Sequence, residues 1–468
     1  MPASDPSPAT EPTSRRQARP WELAALAGLV LAVVVVLALT GFSHDERGTD
    51  GAVGTAQADT EARAAAVQAL LDTWASAVRT NDTARLSGLM DRSASPGFLA
   101  AETRRASNVA GVEFSDWGYE ITESPETAVP SSLVDALGAD EVWAPAVQLR
   151  YAIAGADENP TRKPVALVVA RRGDSWALVS DSATVDGERR TWRGPWDFGT
   201  VVSRRVDTGD GRTSVVLGHP ENVAMVDRLA EELPAAVVNA TQLWGPDWAG
   251  RALVWVAGSQ DEFTSLVGPD HDGFGIAAVA ISDAVDPDAG AVTGQRIVFS
   301  PSSAERLTDV TRRAILRHEL IHVAARAETV DRSPMWVLEG YAEYAAYRGT
   351  GEAARQTAPA LTAQVGAEGP PTGFPENTAF SESGERGSVA YETAWSINAF
   401  VAEQYGETKL TELYRTLAVG ESDPDTVDGR LSDVLGVDAE QLRDRWTDWV
   451  GAHLGWPCVG DRAADPLR

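Results

Sequence analysis

Two histidines stand four residues apart, with a glutamate beside the first, in the stretch RHELIH from Arg317 to His322, and the chain has only six histidines in 468 residues. Thr308 is placed to cap a helix there. Val310, Ile315, Leu316, Leu320, Ile321 and Val323 give that helix an apolar face from about Asp309 to Ala327. On it His318 and His322 lie about 40° apart around the axis and roughly 6 Å along it, so both imidazoles reach one ion at the ~2.0–2.1 Å of a zinc–nitrogen bond. Glu319 is turned about 100° away, off the ligand face but within reach of a water on the ion. H-E-x-x-H thus offers two ligands and a general base. Its plainer reading is a polar seam on a buried helix.

A catalytic zinc takes three protein ligands and keeps one position open. Cys458 is the single cysteine, which excludes an intramolecular disulfide and a cysteine-rich zinc site, so histidines and carboxylates must hold any metal. Two carboxylates compete for the third place. Glu339 sits on a second helix, MWVLEGYAEYAAY, predicted to open with Ser333 as N-cap and Pro334 at its first position and to end near Gly349. Glu343 shares its face, and carboxylates on so apolar a helix are costly unless paired or metal-bound. Glu328 lies ten residues after His318, a position that works where a glycine three residues past the second histidine turns the chain; Ala325 stands there instead. Glu339 is the favoured ligand.

HELIH followed by PMWVLEGYAEY resembles the gluzincin metallopeptidases, specifically the peptidase MA-like group, whose H-E-x-x-H helix is followed by a W-x-x-E-G-x-A-x-Y helix. The resemblance covers about residues 200–452. It implies His318, His322 and Glu339 as ligands of Zn2+, Glu319 as base, and Glu343 as a carboxylate that orients a ligand histidine. It also implies hydrolysis of a peptide or protein substrate. The family uses a Tyr or His of its C-terminal lobe to bind the oxyanion, and Tyr391, opening YETAWSINAFVAEQYG, is the candidate; an aromatic packed on the core is the other reading of that residue. Sixteen residues separate His322 from Glu339, a little fewer than in the better-known gluzincins. The segments Tyr391–Gly406 and Leu442–Val450 resemble the helices that close the family's C-terminal lobe. The fold expected over 196–452 is therefore a mixed sheet with an active-site helix, followed by a helical lobe. The apolar strand Gly275–Ile281 is expected to be a sheet edge on which a substrate strand lies, with Gly273, Gly275 and the Asp283–Gly294 loop as a rim or lid. The competing class is a non-catalytic, membrane-anchored module stapled by zinc. Glu319 argues against it, because a purely structural site has no use for that base.

These residues need a frame, and 468 residues with 43% hydrophobic content suffice for two or three domains. A formal charge of −28 repels phosphate backbones and excludes nucleic acid as a partner. Leu23–Phe42 is twenty residues without a charge, enough to cross the ~30 Å core of a bilayer. Arg15, Arg16 and Arg19 precede it, so the positive-inside rule puts the N-terminus in the cytoplasm and everything after Ser43 outside. The expected order is a disordered cytoplasmic tail (1–20), a transmembrane anchor (21–42), a linker (43–60), an accessory domain (61–192), the metallopeptidase domain (196–452) and a tail (453–468). Wealth in Ala, Val, Asp and Arg with few Lys points to a bacterial plasma membrane. Residues 61–192 begin with helical periodicity over Glu61–Met90 and continue with strands near Trp117–Ile121, Val142–Ala154 and Pro164–Val179, an α+β pattern. In element order it resembles the cone-shaped nuclear-transport-factor-like domains, and a spacer or interaction role is expected of it.

Overall fold

The computed structural model describes residues 50–456 apart from 183–186, 188, 270–275, 287–288 and 422. The predicted anchor, the cytoplasmic tail and the residues after Trp456 lie outside this set. Among the described residues no helix is long and apolar enough to cross a membrane. The chain divides into two units, 1–61 and 62–468. Of the first, the described part is helical: α1 runs Asp50–Arg79, so the segment expected to be a small, polar linker is helix from Asp50 onward. Its alanines outweigh Gly51 and Gly54 in helix propensity.

Asn81, at φ 52°, ends the first helix inside the Glu61–Met90 stretch of helical periodicity. Asp82 and Ser95 then cap α2 (Thr83–Leu89) and α3 (Pro96–Asn108). Strand β1 (Phe114–Ile121) and helix α4 (Ser131–Leu137) follow, then β2 (Glu141–Trp143), β3 (Ala146–Ile153), β4 (Thr161–Ala166), β5 (Val168–Arg172) and β6 (Ser175–Ser180). The sheets β1-β3-β4 and β2-β5-β6 are halves of one long antiparallel hairpin, because β2 runs on into β3 across Ala144-Pro145 and β4 into β5 across Leu167. One side is filled with rings. Trp74 stacks on Tyr119 at 4.0 Å between centroids, and Trp196 stands edge-on to Phe114, Trp117, Tyr151 and Trp192 at 5.2–6.0 Å. Trp196 opens the stretch expected to be the metallopeptidase domain, 196–452, and it is fully buried. Next to it Asp197 reaches back to Arg105 at 2.7 Å, and Arg105 also pairs with Glu102 at 2.7 Å and Asp181 at 3.4 Å. Burial pushes the Glu102 carboxyl up to about 7 despite that arginine.

Beyond this layer come β7 (Val202–Asp207), β8 (Thr213–Gly218), α5 (Val223–Trp244), β9 (Leu253–Val256), α6 (Gln260–Val267), β10 (Ala278–Ile281), β11 (Ala284–Asp286), β12 (Ala291–Thr293) and β13 (Arg296–Phe299). Five of these strands form a mixed sheet in the order β10-β13-β9-β8-β7, parallel in its middle and antiparallel at both edges. Both its faces are covered, and alternation along the strands decides what covers each. Val216, Val254, Val256, Ile297 and Phe299 pack with α5 and α7 (Asp309–Ala325), whereas Val215, Leu217, Leu253, Trp255 and Val298 share one core with the N-terminal α+β layer. The Asp283–Gly294 segment expected as a flexible rim carries the hairpin β11–β12; Gly273 and Gly275 lie outside the described residues.

The rest is helical: α8 (Met335–Tyr347), α9 (Pro359–Glu368), α10 (Glu385–Tyr405), α11 (Glu407–Leu417), α12 (Pro424–Leu435) and α13 (Ala439–Leu454). Helix α8 starts one residue later than expected, with Pro334 in the capping position. Ser333 instead donates to the Val330 carbonyl at 2.7 Å and accepts from the Gly420 N–H at 2.9 Å, while Asn377 accepts the first free N–H of α8, that of Met335, at 2.8 Å. Gly340 lets α8 press against α10: a Cβ there would meet Asn398 Nδ2 at 2.1 Å and the Ala394 carbonyl at 2.4 Å. Asn398 Nδ2 in turn donates to the Trp336 carbonyl at 3.0 Å. Alanine at an open helix position stabilises by about 1 kcal/mol over glycine. Here Gly340→Ala is expected to destabilise by about 1–3 kcal/mol in urea unfolding, because the helices must part; a gain in stability would show that the two helices do not touch at this point.

Candidate metal centre

Helix α7 is opened by Thr308, whose hydroxyl accepts the Thr311 N–H at 3.2 Å, as expected. Its buried face, with Leu316, Leu320, Ile321 and Val323, packs on the sheet and on α5. That packing turns His318 and His322 toward α8, which crosses α7 and carries Glu339 and Glu343. His318 Nε2 and His322 Nε2 are 3.1 Å apart; Glu339 Oε2 is 3.2 Å from the first and 3.6 Å from the second. Among the described residues this trio is the one group of three His, Cys, Asp or Glu side chains with converging ligand atoms. Glu343 Oε1 lies 3.3 Å from His318 Nδ1 on the far side of the same ring. It fixes the proton on Nδ1 and leaves the Nε2 lone pair facing the other two donors.

The trio fits a zinc ion. Ligands at about 2.0–2.1 Å in a tetrahedral arrangement stand roughly 3.3 Å from one another, and the three separations bracket that value. Two imidazole nitrogens and one carboxylate oxygen are the donor chemistry that zinc takes, and they occupy only one face of a tetrahedron. Zn2+ is the metal this site suits.

Burial raises the pKa of Glu339, but His322 and His318 outweigh it and hold the carboxyl well below its ordinary range. Burial lowers the pKa of His318, while Glu339 and Glu343 outweigh it and raise the imidazole. Glu319, 7% exposed, is raised by burial, with the two histidines opposing. The backbone N–H of Ala280 on the edge strand β10 lies on the side of this carboxylate and also opposes the rise. That N–H is the part of the site sequence reasoning did not find; a backbone group has no residue-type signature, and the one available hint was the apolar strand ahead of the helix.

Tyr391 sits on α10, edge-on to Phe380 at 5.1 Å. Burial and the carboxylates of Glu339, Glu343 and Glu319 raise its phenol, so it faces the cluster, yet among the described residues its hydroxyl bonds to no member of it. Glu328, the other candidate ligand, is drawn away into an ion pair with Arg415 at 3.0 Å. A cavity of about 660 Å³ between α9, α10 and residues 371–382 includes none of the cluster residues in its lining.

The Peptidase MA superfamily matches residues 302–452. Among solved structures, an M1 zinc metallopeptidase from Deinococcus radiodurans is 15% identical with a TM-score of 0.32, over 60% of this chain and 58% of that one. Native yeast LTA4 hydrolase is 11% identical with a TM-score of 0.34, over 57% of this chain and 40% of that one. The chain thus spans less than two thirds of the length of either. No curated protein matches it. The segment that is similar to the Peptidase MA superfamily is the one that holds His318, Glu319, His322, Glu339 and Glu343.

Proposed function

We propose that the protein is a zinc-dependent peptidase held to a bacterial membrane by Leu23–Phe42, with its hydrolytic part outside the cell. The observation that carries the reading is the placement of a buried glutamate, Glu319, beside three converging donors on one face of a tetrahedron. A module that merely stapled two helices would have no use for that glutamate. His318, His322 and Glu339 are the ligands, and Glu343 holds the His318 ring. Zinc supplies Lewis acidity there, toward a water and toward the scissile carbonyl. Glu319 takes the proton from the attacking water on its carboxylate and returns it to the leaving amine nitrogen. Tyr391, held protonated by burial and by its carboxylate neighbours, donates to the oxygen that gains charge in the transition state. The open edge of β10 receives the substrate as an added strand.

The full-length protein, purified in detergent, is expected to carry about one zinc per chain. Glu319→Gln should keep that zinc and lose about 10²–10⁴-fold in hydrolysis of a peptide library; retention of activity would remove the mechanism. Zinc should be lost in Glu339→Ala and kept in Glu328→Ala, read by metal analysis, and the opposite pattern would exchange the two ligands. For Tyr391→Phe, kcat is expected to fall about 10²–10³-fold with KM nearly unchanged; an unaltered kcat leaves Tyr391 as a packing residue. A protease added to intact cells should digest the part of the chain after Ser43, and protection of that part would put the hydrolytic unit on the cytoplasmic side.

A further inference from the structure

Among the described residues, strand β10, whose Ala280 N–H lies on the side of Glu319, has one strand neighbour, β13, and no partner on its other edge. Ala278 and Ala280 face the α7 side of the sheet, while Val279 and Ile281 rest against the core shared with the N-terminal layer. Just past the strand, Ser282 Oγ accepts from Arg326 Nε at 3.1 Å, which ties it to the end of α7. The next residue is gripped from the other side. The Asp283 carboxylate takes Lys163 Nζ at 2.5 Å and the hydroxyl of Thr161, both from β4 of the N-terminal layer. Gly294, at φ 69°, leaves room for this, since a Cβ there would run into the Asp283 carboxylate. On the neighbouring strand Arg296, paired in register with Ile281, makes two bonds of 2.6 and 3.1 Å to Asp157, which lies between β3 and β4.

Two charge-paired contacts therefore join the N-terminal layer to the same end of the same two strands. Arg296 and Asp157 are 3% and 6% exposed, a buried pair whose loss is strongly destabilising. Lys163 and Asp283 are 18% and 24% exposed, and a pair so placed contributes little to global stability. Its location rather than its strength gives it a consequence. A spacer or a docking module has no reason to grip the residue three places after the one beside the base.

We propose that the N-terminal α+β layer is a working part of the hydrolytic site: through Lys163 and Thr161 on Asp283 it sets the position of β10, the strand that packs on the α7 side beside Glu319. Lys163, Thr161 and Asp283 are positioning residues. The kinetic consequence rests on the peptidase reading; the clasp itself does not.

The test uses the zinc-loaded full-length protein as wild type, Lys163→Met, Asp283→Lys, and the swap Lys163→Asp with Asp283→Lys. Hydrogen exchange over residues 276–286, read by mass spectrometry, reports the clasp without any activity. It should be about tenfold faster in the two single variants and return toward wild type in the swap, with exchange in α7 and zinc content unchanged. In peptide hydrolysis, kcat should fall about tenfold in the single variants at constant KM and recover in the swap. Unchanged exchange in the single variants overturns the clasp, whether or not the protein hydrolyses peptides. Faster exchange with an unaltered kcat in an active enzyme overturns its role in positioning. A wild type that hydrolyses nothing, together with faster exchange in the single variants, removes the peptidase reading while the clasp stands.

Discussion

Two imidazole nitrogens and a carboxylate oxygen face one another within 3.6 Å at the crossing of α7 and α8, and nothing in an apolar protein interior favours that arrangement by itself. Buried polar atoms need partners of opposite character, and the two histidine nitrogens offer each other at most one shared proton. A divalent cation satisfies all three at once. Much of the surrounding structure follows from keeping this trio in place: the Glu343 contact that selects the histidine tautomer, and the close passage of α8 over α10 at Gly340.

The sheet provides the fixed wall. Helix α7 lies on one of its faces and the N-terminal layer on the other, so the strands between them are clamped by two cores rather than one. Such a strand moves little, which suits a site whose buried glutamate lies beside a strand backbone. The arrangement also explains why the segment joining the two regions is not an exposed tether: Trp196 fills the centre of the aromatic cluster, and Asp197 closes an ion-pair network around Arg105.

What the sequence makes legible is local. The 3.6-residue period around HELIH and the run MWVLEGYAEYAAY mark two helices and the faces they bury, and the strands at Leu253–Val256 and Arg296–Phe299 appear where short apolar runs place them. Helix boundaries fail where a distant residue decides them. Ser333 has the type of an N-cap, but Asn377, more than forty residues on, takes the free N–H of α8. The expected linker before Thr60 fails for another reason: small polar composition reads as flexible, whereas enough alanine makes the same stretch helical. The Ala280 N–H and the Lys163–Asp283 contact had no local signal, since each joins groups that are far apart in the chain and ordinary in kind.

The proposed chemistry depends on three protein donors and one open position on a single zinc ion. X-ray absorption at the zinc edge of the purified full-length protein measures this directly. It should give two imidazole nitrogens and oxygen donors at about 2.0–2.1 Å, with no sulfur and a total of about four. A spectrum with one histidine or none in the zinc shell, or a protein that takes up no zinc, would contradict the site described here.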